Sequence, residues 1–320
     1  MRMFRAGMLS ISFGVFAVCA HADQFAYVVT GAQQFGSVDL TTGAFHEIGP
    51  GTPEPDANLV PAPNGNLYSL ATLSGDLVRI NPATGATTVI GPTGLGSNSF
   101  DLAELGGKLY MTDFSNNLYS VNATTGAAQL IGATGIPPDP TVPFTTNADG
   151  TLNLCDETLY GVGDKLYATF DSFSIDPMTL ATTFAVNPKL WQIDPVTGVA
   201  TLVGSTTANL GSSLDENGSF YAFHLVTTGF SGGFPVGFNQ LDSLNLANGA
   251  TTFDRNIDPS AGPIFGATAA PEPGSSAMLV IGLAALALSR IRKRRARRAD
   301  LPGYPTCLRR RCLTAPSRCR

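Results

Sequence analysis

Residues Ile80–Gly91 read INPATGATTVIG: the end of an apolar strand, an Asn-Pro-x-Thr-Gly turn, and a second strand that ends in glycine. In such a turn the Asn side chain bonds the backbone, the proline presets φ, and the glycine adopts the left-handed conformation. Val, Ile and Thr favour extended structure after the turn. The stretch therefore predicts a β-hairpin.

This unit occurs five times in the chain. The other copies are VDLTTGAFHEIG (Val38–Gly49), VNATTGAAQLIG (Val121–Gly132), IDPVTGVATLVG (Ile193–Gly204) and LNLANGATTFD (Leu244–Asp254). The turn glycines Gly43, Gly85, Gly126, Gly198 and Gly249 are 42, 41, 72 and 51 residues apart. The first two steps match the length of a four-stranded propeller blade, and the longer steps indicate insertions.

A second hairpin signal, such as Gly106-Gly107 or Gly163-Asp164, precedes the later units. Two hairpins in about 40 residues form a four-stranded meander, and repeated meanders of that length form a β-propeller. We therefore predict an all-β fold in which four blades contain all their strands. These blades are Asp56–Gly94, Phe100–Gly135, Phe144–Ser205 and Leu210–Ile257.

The two ends of the repeat array predict how the ring closes. The first copy, Phe25–Gly49, lacks an innermost strand, and Pro263–Thr268 is a lone strand at the other end. If that strand completes the first blade, the ring has five blades and no open sheet edge at its centre. Six or seven blades remain alternatives, because Asp139–Ala185 has room for a degenerate blade. Within it, Ile175–Leu180 echoes the repeat, and we interpret it as an inserted hairpin.

The N-terminal residues 1–22 have the features of a secretory signal peptide. Arg2 and Arg5 precede an apolar stretch, and Ala20-His21-Ala22 is a small-x-small cleavage site with Ala20 and Ala22 at its small positions. The sequence therefore predicts export of the body that follows, residues 23–269.

Residues 270–298 combine three features near the C-terminus. Pro271-Glu272-Pro273 is expected to be extended, because prolines fix φ and remove backbone donors. An apolar run, Ser275–Ile291, is expected to form a membrane helix, although it is shorter than the roughly 20 residues of a comfortable span. A basic flank follows, consisting of Arg290, Arg292, Lys293, Arg294, Arg295, Arg297 and Arg298. That much positive charge places this flank in the cytoplasm.

This arrangement resembles the PEP-CTERM sorting tail of Gram-negative envelope proteins. The resemblance implies an exosortase-type membrane protease as a partner, anchoring in the inner membrane before processing, and final location at the cell envelope, the outer surface or the extracellular matrix. A plain C-terminal anchor is the alternative. Residues 299–320 extend past the usual end of such tails, carry three cysteines, and are expected to be disordered.

The body is strongly acidic, which excludes one class of partner. Residues 23–269 hold five Lys or Arg and 22 Asp or Glu, a formal charge of −17. A nucleic-acid-binding domain needs the opposite sign, so no nucleic acid is expected. The body has one cysteine, Cys155, and so has no internal disulfide.

The sequence carries no signature of an enzyme. The body's histidines, His46 and His224, stand in strand-like contexts, and no nucleophile elbow or phosphate-binding glycine loop is present. No repeat carries the Trp that follows Thr-Gly in quinoprotein blades, so no quinone cofactor is expected. We expect no catalytic residues, no metal and no cofactor, with Ca²⁺ kept as an alternative. Its candidate ligands are the acidic residues Asp149, Asp156 and Glu157.

These observations favour a non-enzymatic binding or structural protein. The PEP-CTERM resemblance implies association with exopolysaccharide or biofilm, with a polysaccharide or a surface protein as ligand. The alternative is a secreted propeller enzyme, lactonase-like or a glycan-active hydrolase, using a bound metal. Acidic and histidine side chains that converge near the axis of the ring would favour the alternative.

Overall fold

The computed structural model describes residues 24–270, except residues 52–53, 55, 63–64, 138–139, 141–144, 217 and 232–233. In these residues the chain forms twenty strands and two short 3₁₀ turns, Gly96–Asn98 and Pro259–Ala261, with no α-helix. The strands form five four-stranded antiparallel sheets. The fold is a five-bladed β-propeller, which confirms the predicted fold class.

Each blade begins with an innermost strand, and its other three strands follow outward in order. Blade 1 contains β20 (Ile264–Ala269), β1 (Phe25–Thr30), β2 (Gln34–Asp39) and β3 (Phe45–Pro50). Blade 2 contains β4 (Asp56–Pro61), β5 (Leu67–Ala71), β6 (Asp76–Ile80) and β7 (Thr87–Pro92). Blade 3 contains β8 (Ser99–Leu105), β9 (Lys108–Asp113), β10 (Asn117–Val121) and β11 (Ala128–Ala133). Blade 4 contains β12 (Leu152–Val162), β13 (Lys165–Ile175), β14 (Thr182–Ile193) and β15 (Ala200–Ser205). Blade 5 contains β16 (Leu210–Glu216), β17 (Ser219–Ser231), β18 (Phe234–Leu244) and β19 (Thr251–Asn256).

The predicted closure of the ring is confirmed. Strand β20 pairs with β1, with Ala269 opposite Ala26 and Thr268 opposite Tyr27. Blade 1 therefore joins the two ends of the described chain. The alternatives of six and seven blades are wrong, because residues 175–182 form no blade. They are the turn between the long strands β13 and β14, so the insertion takes the form of a lengthened hairpin within blade 4.

The repeat turns have the predicted conformation. In the first quoted unit, the Asn81 side-chain oxygen accepts a hydrogen bond from the Ala83 N–H at 2.9 Å, and Gly85 has a φ of +69°. Asp194 makes the same contact with Val196 at 2.8 Å. The Asn or Asp of each repeat therefore stabilises its turn, and these residues are structural.

The glycine that ends a repeat has a packing role between blades. A Cβ on Gly49 would overlap the carbonyl oxygen of Thr84, and one on Gly204 would overlap that of Asn248. Thr84 and Asn248 belong to the repeat turns of the next blades. The terminal glycines therefore let one blade lie directly against the turn of its neighbour.

Apolar side chains fill the spaces between blades. Between blades 5 and 1, Phe223 and Leu241 pack with Val28 and Val38, all of them fully buried. Similar clusters lie between the other blades. Burial of this kind is the main stabilising contribution to a domain that has no disulfide.

Both predicted targeting segments lie outside the described residues. The signal peptide with Ala20 and Ala22 precedes them, and the sorting motif Pro271, Glu272 and Pro273 follows them, as do the apolar run and its basic flank. Among residues 24–270, as described, no helix has the length and apolar character needed to span a membrane.

Candidate functional site: polar seams on the upper face

The strands of two blades project from one face of the ring. We define the upper face as the one on which the innermost strands begin and on which the second strand of each blade turns into the third. In blade 2 this turn joins strands of five residues, whereas β17 has thirteen residues and β14 has twelve. Blades 4 and 5 therefore extend beyond the other blades on the upper face.

The extensions pack on one another. We call residues 172–186, 226–231 and 234–238 the wall. Leu154, Phe173 and Ile175 form a small apolar cluster in blade 4, and Phe230 of blade 5 packs against it. The aromatic rings of Phe173 and Phe184 lie 5.9 Å apart. The glycine-rich sequence around Phe230 suggests a flexible loop tip, but the chain forms paired strands there.

All five blades meet at Asn58, near the axis of the ring. Its side-chain amide donates hydrogen bonds to the carbonyl oxygens of Leu102 in blade 3 and Leu159 in blade 4, each at 2.8 Å. Ser212 of blade 5 lies 3.3 Å from the Asn58 side-chain oxygen. In blade 1, a Cβ on Gly266 would lie 2.6 Å from the backbone of Asn58, so only glycine leaves room there.

Asp101 joins two innermost strands at the same level. Its carboxylate accepts hydrogen bonds from the N–H groups of Leu102, at 2.7 Å, and Leu159, at 2.5 Å. Burial raises the pKa of Asp101 to about 8, although these hydrogen bonds favour the charged form. Asp101 and Asn58 connect the innermost strands of neighbouring blades by hydrogen bonds, so both have a structural role.

Strand β12 separates two polar seams. Successive side chains of a strand point to opposite sides, so Glu157 faces blade 3 while Asp156 and Thr158 face blade 5. The contacts agree with this assignment. Glu157 lies near Asp101, Thr112 and Asp113 of blade 3, and Thr158 contacts Ser213 of blade 5.

The seam between blades 3 and 4 contains an unpartnered carboxyl group. Glu157 is 93% buried, and among the described residues neither of its carboxyl oxygens has a hydrogen-bond partner. Thr112 lies beside it without reaching hydrogen-bond geometry. Burial, and then the charges of Asp101 and Asp113, raise the pKa of Glu157 well above its usual range. Its protonated form is therefore favoured.

The seam between blades 4 and 5 contains a pair of aspartates. Asp156 of β12 is directly opposite Asp171 of β13 in the strand register. Asp171 is 97% buried; one oxygen accepts a hydrogen bond from Asn209 N–H at 3.3 Å, and the other has no partner among the described residues. Burial and the charge of Asp156 raise the pKa of Asp171. Burial also raises the pKa of Asp156, to about 6, while His224 lowers it.

The other side of this seam comes from blade 5. His224 Nδ1 lies 3.5 Å from Asp242 Oδ2, and the second oxygen of Asp242 lacks a hydrogen-bond partner within the described part of the chain. His224 is half-buried and Asp242 is buried. Three carboxyl groups and one imidazole thus border the seam at different points along it. None of the body's five Lys and Arg side chains is buried, so none of them neutralises the seam from within.

The structure does not bring the predicted metal-ligand candidates together. Asp149 is exposed in a turn, where Thr151 donates two hydrogen bonds to it and lowers its pKa. Asp156 and Glu157 are adjacent in β12 and therefore face different seams. Over the described ranges, no three His, Cys, Asp or Glu side chains lie close enough together to hold a metal ion by themselves.

Asp171, Asp242 and the pairing of Asp156 with Asp171 are not predicted from the sequence. Asp156 and Glu157, named from the sequence as candidate ligands, lie in the middle of a long strand. The alternation of polar residues along β12 and β13 is the sequence feature that could have placed these aspartates in strands. His224 is half-buried in this seam, and His46 is exposed.

Comparisons with known proteins identify no relatives in sequence. No protein-family profile matches the chain, and no curated protein matches it. One of the solved structures that match is the crystal structure of a nidogen/laminin complex, with 11% identity and a TM-score of 0.47, over 78% of this chain and 98% of that chain. The five-bladed assignment rests on the sheet topology described above.

Proposed function

We propose that the chain is exported, sorted by an exosortase-type system, and displayed at the cell surface or in the matrix as a non-enzymatic binding propeller. Its ligand is a polysaccharide of the surface or the matrix, and its binding surface is the upper face with its wall. The signal sequence before the ring and the Pro-Glu-Pro tail after it support export and sorting. The charge of −17 on the body suits a soluble displayed domain.

The observation that carries the binding role is the wall. A ring closes with strands as short as those of blade 2, so the extra length of β13, β14, β17 and β18 is not needed for closure. Phe230 of one extension packs against the apolar cluster of the other, and both extensions project from one face only. Ordered extensions that do not serve the ring itself are typical of binding surfaces.

Replacement of residues 227–237 by a two-residue turn tests this role. Binding of the purified protein to exopolysaccharide from the source cells is the measurement. We expect saturable binding by the wild type and at least a tenfold loss for the shortened variant, with its thermal transition retained. The control is Val196→Ser, a change on the lower face at a residue that is 81% exposed. Equal binding by the wild type and the shortened variant would exclude the wall.

The sorting proposal has a separate test. The intact mass of the protein from envelope fractions should lack residues 1–22 and the residues beyond the Pro271 region. Mature surface protein that still contains Arg298 would refute sorting by cleavage. The binding experiment does not depend on this result.

A second candidate is the secreted enzyme, lactonase-like or a glycan-active hydrolase. The observation in its favour is the His224–Asp242 pair beside Asp156, because a histidine held by a carboxylate is suited to general acid–base catalysis. A screen of lactones and glycans for turnover tests it. Activity in the wild type that disappears in His224→Gln would favour the enzyme over the binding protein.

A further inference from the structure

The seam between blades 4 and 5 has the arrangement of a site for a hard cation. Asp156 and Asp171 are directly opposite each other on neighbouring strands, where Cβ atoms are about 4.5–5.5 Å apart. Both side chains are on the side of blade 4 that faces blade 5, as the neighbouring His224 and Asn209 indicate. Two carboxylates at this spacing are within reach of one ion.

The hydrogen bonding of the seam is incomplete without a ligand. Asp171 has one carboxyl oxygen that is buried and unpartnered among the described residues, and Asp242 across the seam has another. Buried polar atoms normally have partners, and each that lacks one costs stability. The same two residues use their second oxygen, for Asn209 N–H and for His224 respectively. The remaining oxygens are therefore acceptors that a cation or its water shell would satisfy.

We propose that a divalent cation, Ca²⁺, binds in this seam between the carboxylates of Asp156 and Asp171. Asp156 is half-buried, whereas Asp171 is buried. Asp242 and His224 border the site from blade 5.

Oxygen ligands without cysteine favour Ca²⁺ over a transition metal. Ca²⁺ takes six to eight oxygens, so water and main-chain carbonyls complete the shell around two carboxylates. This accounts for a site in which fewer than three of the described acidic or histidine side chains act as ligands. A site of this kind is expected to bind in the range of about 10⁻⁴–10⁻³ M, as extracellular modules do.

The test is the thermal transition of the purified full-length protein, followed with a chelator and with increasing Ca²⁺. We expect Ca²⁺ at about ten times its Kd to raise the Tm of the wild type by about 3–6 °C. Asp171→Asn and Asp156→Asn should lose this shift. The matched control is Glu157→Gln, which changes a buried carboxyl of the same strand that faces the other seam and should keep the shift.

If Asp171→Asn does not fold, Asp156→Asn still tests the site. Asp156 is only half-buried, so its substitution is expected to disturb folding less. A wild-type Tm that does not respond to millimolar Ca²⁺ would overturn the proposal. A shift that persists in Asp156→Asn with an unchanged midpoint would also overturn it, because the ion would then bind elsewhere. Equal loss of the shift in Glu157→Gln would also overturn it, because the effect would then not be specific to the seam between blades 4 and 5.

Discussion

Gly91, at the end of strand β7 in blade 2, lies directly against Gly126, in the repeat turn of blade 3. A Cβ on Gly126 would overlap the carbonyl oxygen of Gly91, and a Cβ on Gly91 would overlap that of Thr125. The two glycines of the sequence repeat are therefore partners across neighbouring blades. This contact explains why the repeat ends in glycine as well as turning on one.

The Gly91–Gly126 contact predicts a large effect of a small substitution. Gly126→Ala should reduce the free energy of unfolding by about 3–5 kcal/mol, because it adds the overlap to the cost of a left-handed residue. Gly107→Ala is the matched control, since Gly107 has the same φ of +81° but nothing within 4 Å of its Cβ. The control should cost only about 1–2 kcal/mol. Urea unfolding measures both, and equal losses would contradict the contact.

The Asn58 amide predicts a second loss of stability. Asn58→Gly keeps the positive φ of +52° but leaves the carbonyl oxygens of Leu102 and Leu159 without this donor. The expected cost is about 2–4 kcal/mol in urea unfolding. Asn209→Gly is the control, because Asn209 has a similar φ of +57° and its backbone N–H bond to Asp171 is retained. A variant at Asn58 as stable as the control would show that the amide is dispensable.

The buried carboxyl of Asp101 predicts how stability changes with pH. Its pKa in the folded protein is about 8, well above that of an exposed aspartate, so the folded state binds the proton more tightly. Its contribution is therefore complete below about pH 4 and is lost as the pH rises to about 8. The unfolding free energy in chelator should fall across this range, and Asp101→Asn should flatten the fall.

The pKa values of Glu157, Asp156 and Asp171 are also raised. The slope of unfolding free energy against pH should therefore become smaller in Asp101→Asn without disappearing. Urea unfolding at several pH values gives the slope. Stability that increases from pH 5 to pH 8 would contradict the assignment of these groups.

The closing strand predicts the effect of truncation. A chain that ends at Gly262 lacks β20 and exposes the edge of β1 together with the buried residues Ala26 and Val28. We expect it to aggregate or to form oligomers, because an open apolar strand edge pairs with other chains. A chain that ends at Ala270 retains β20 and should remain monomeric in size-exclusion chromatography. A soluble monomer of the shorter chain with a normal thermal transition would refute the need for closure.

The sequence predicted the fold far better than the candidate site. Each turn of the repeat is determined by residues that are neighbours in sequence, such as Asn81 and Gly85. The sequence pattern alone was therefore enough to predict the positions of the turns. The closing strand followed from an unequal count of strands at the two ends. The seam between blades 4 and 5 depends instead on which side of β12 and β13 each residue faces, and on a neighbouring blade. Asp171 and Asp242 are 71 residues apart, and no local pattern brings them together.

The pairing of β20 with β1 also sets the order in which the protein can mature. Strands β4 to β19 find their partners within their own blade, soon after they are synthesised. Strands β2 and β3 likewise pair within the first blade, but the inner edge of β1 must wait for β20, more than 200 residues later. The first residues of the ring are thus the last to be secured, and the assembly of the domain finishes only when nearly all of it has emerged. A chain interrupted at any earlier point carries an unfinished first blade.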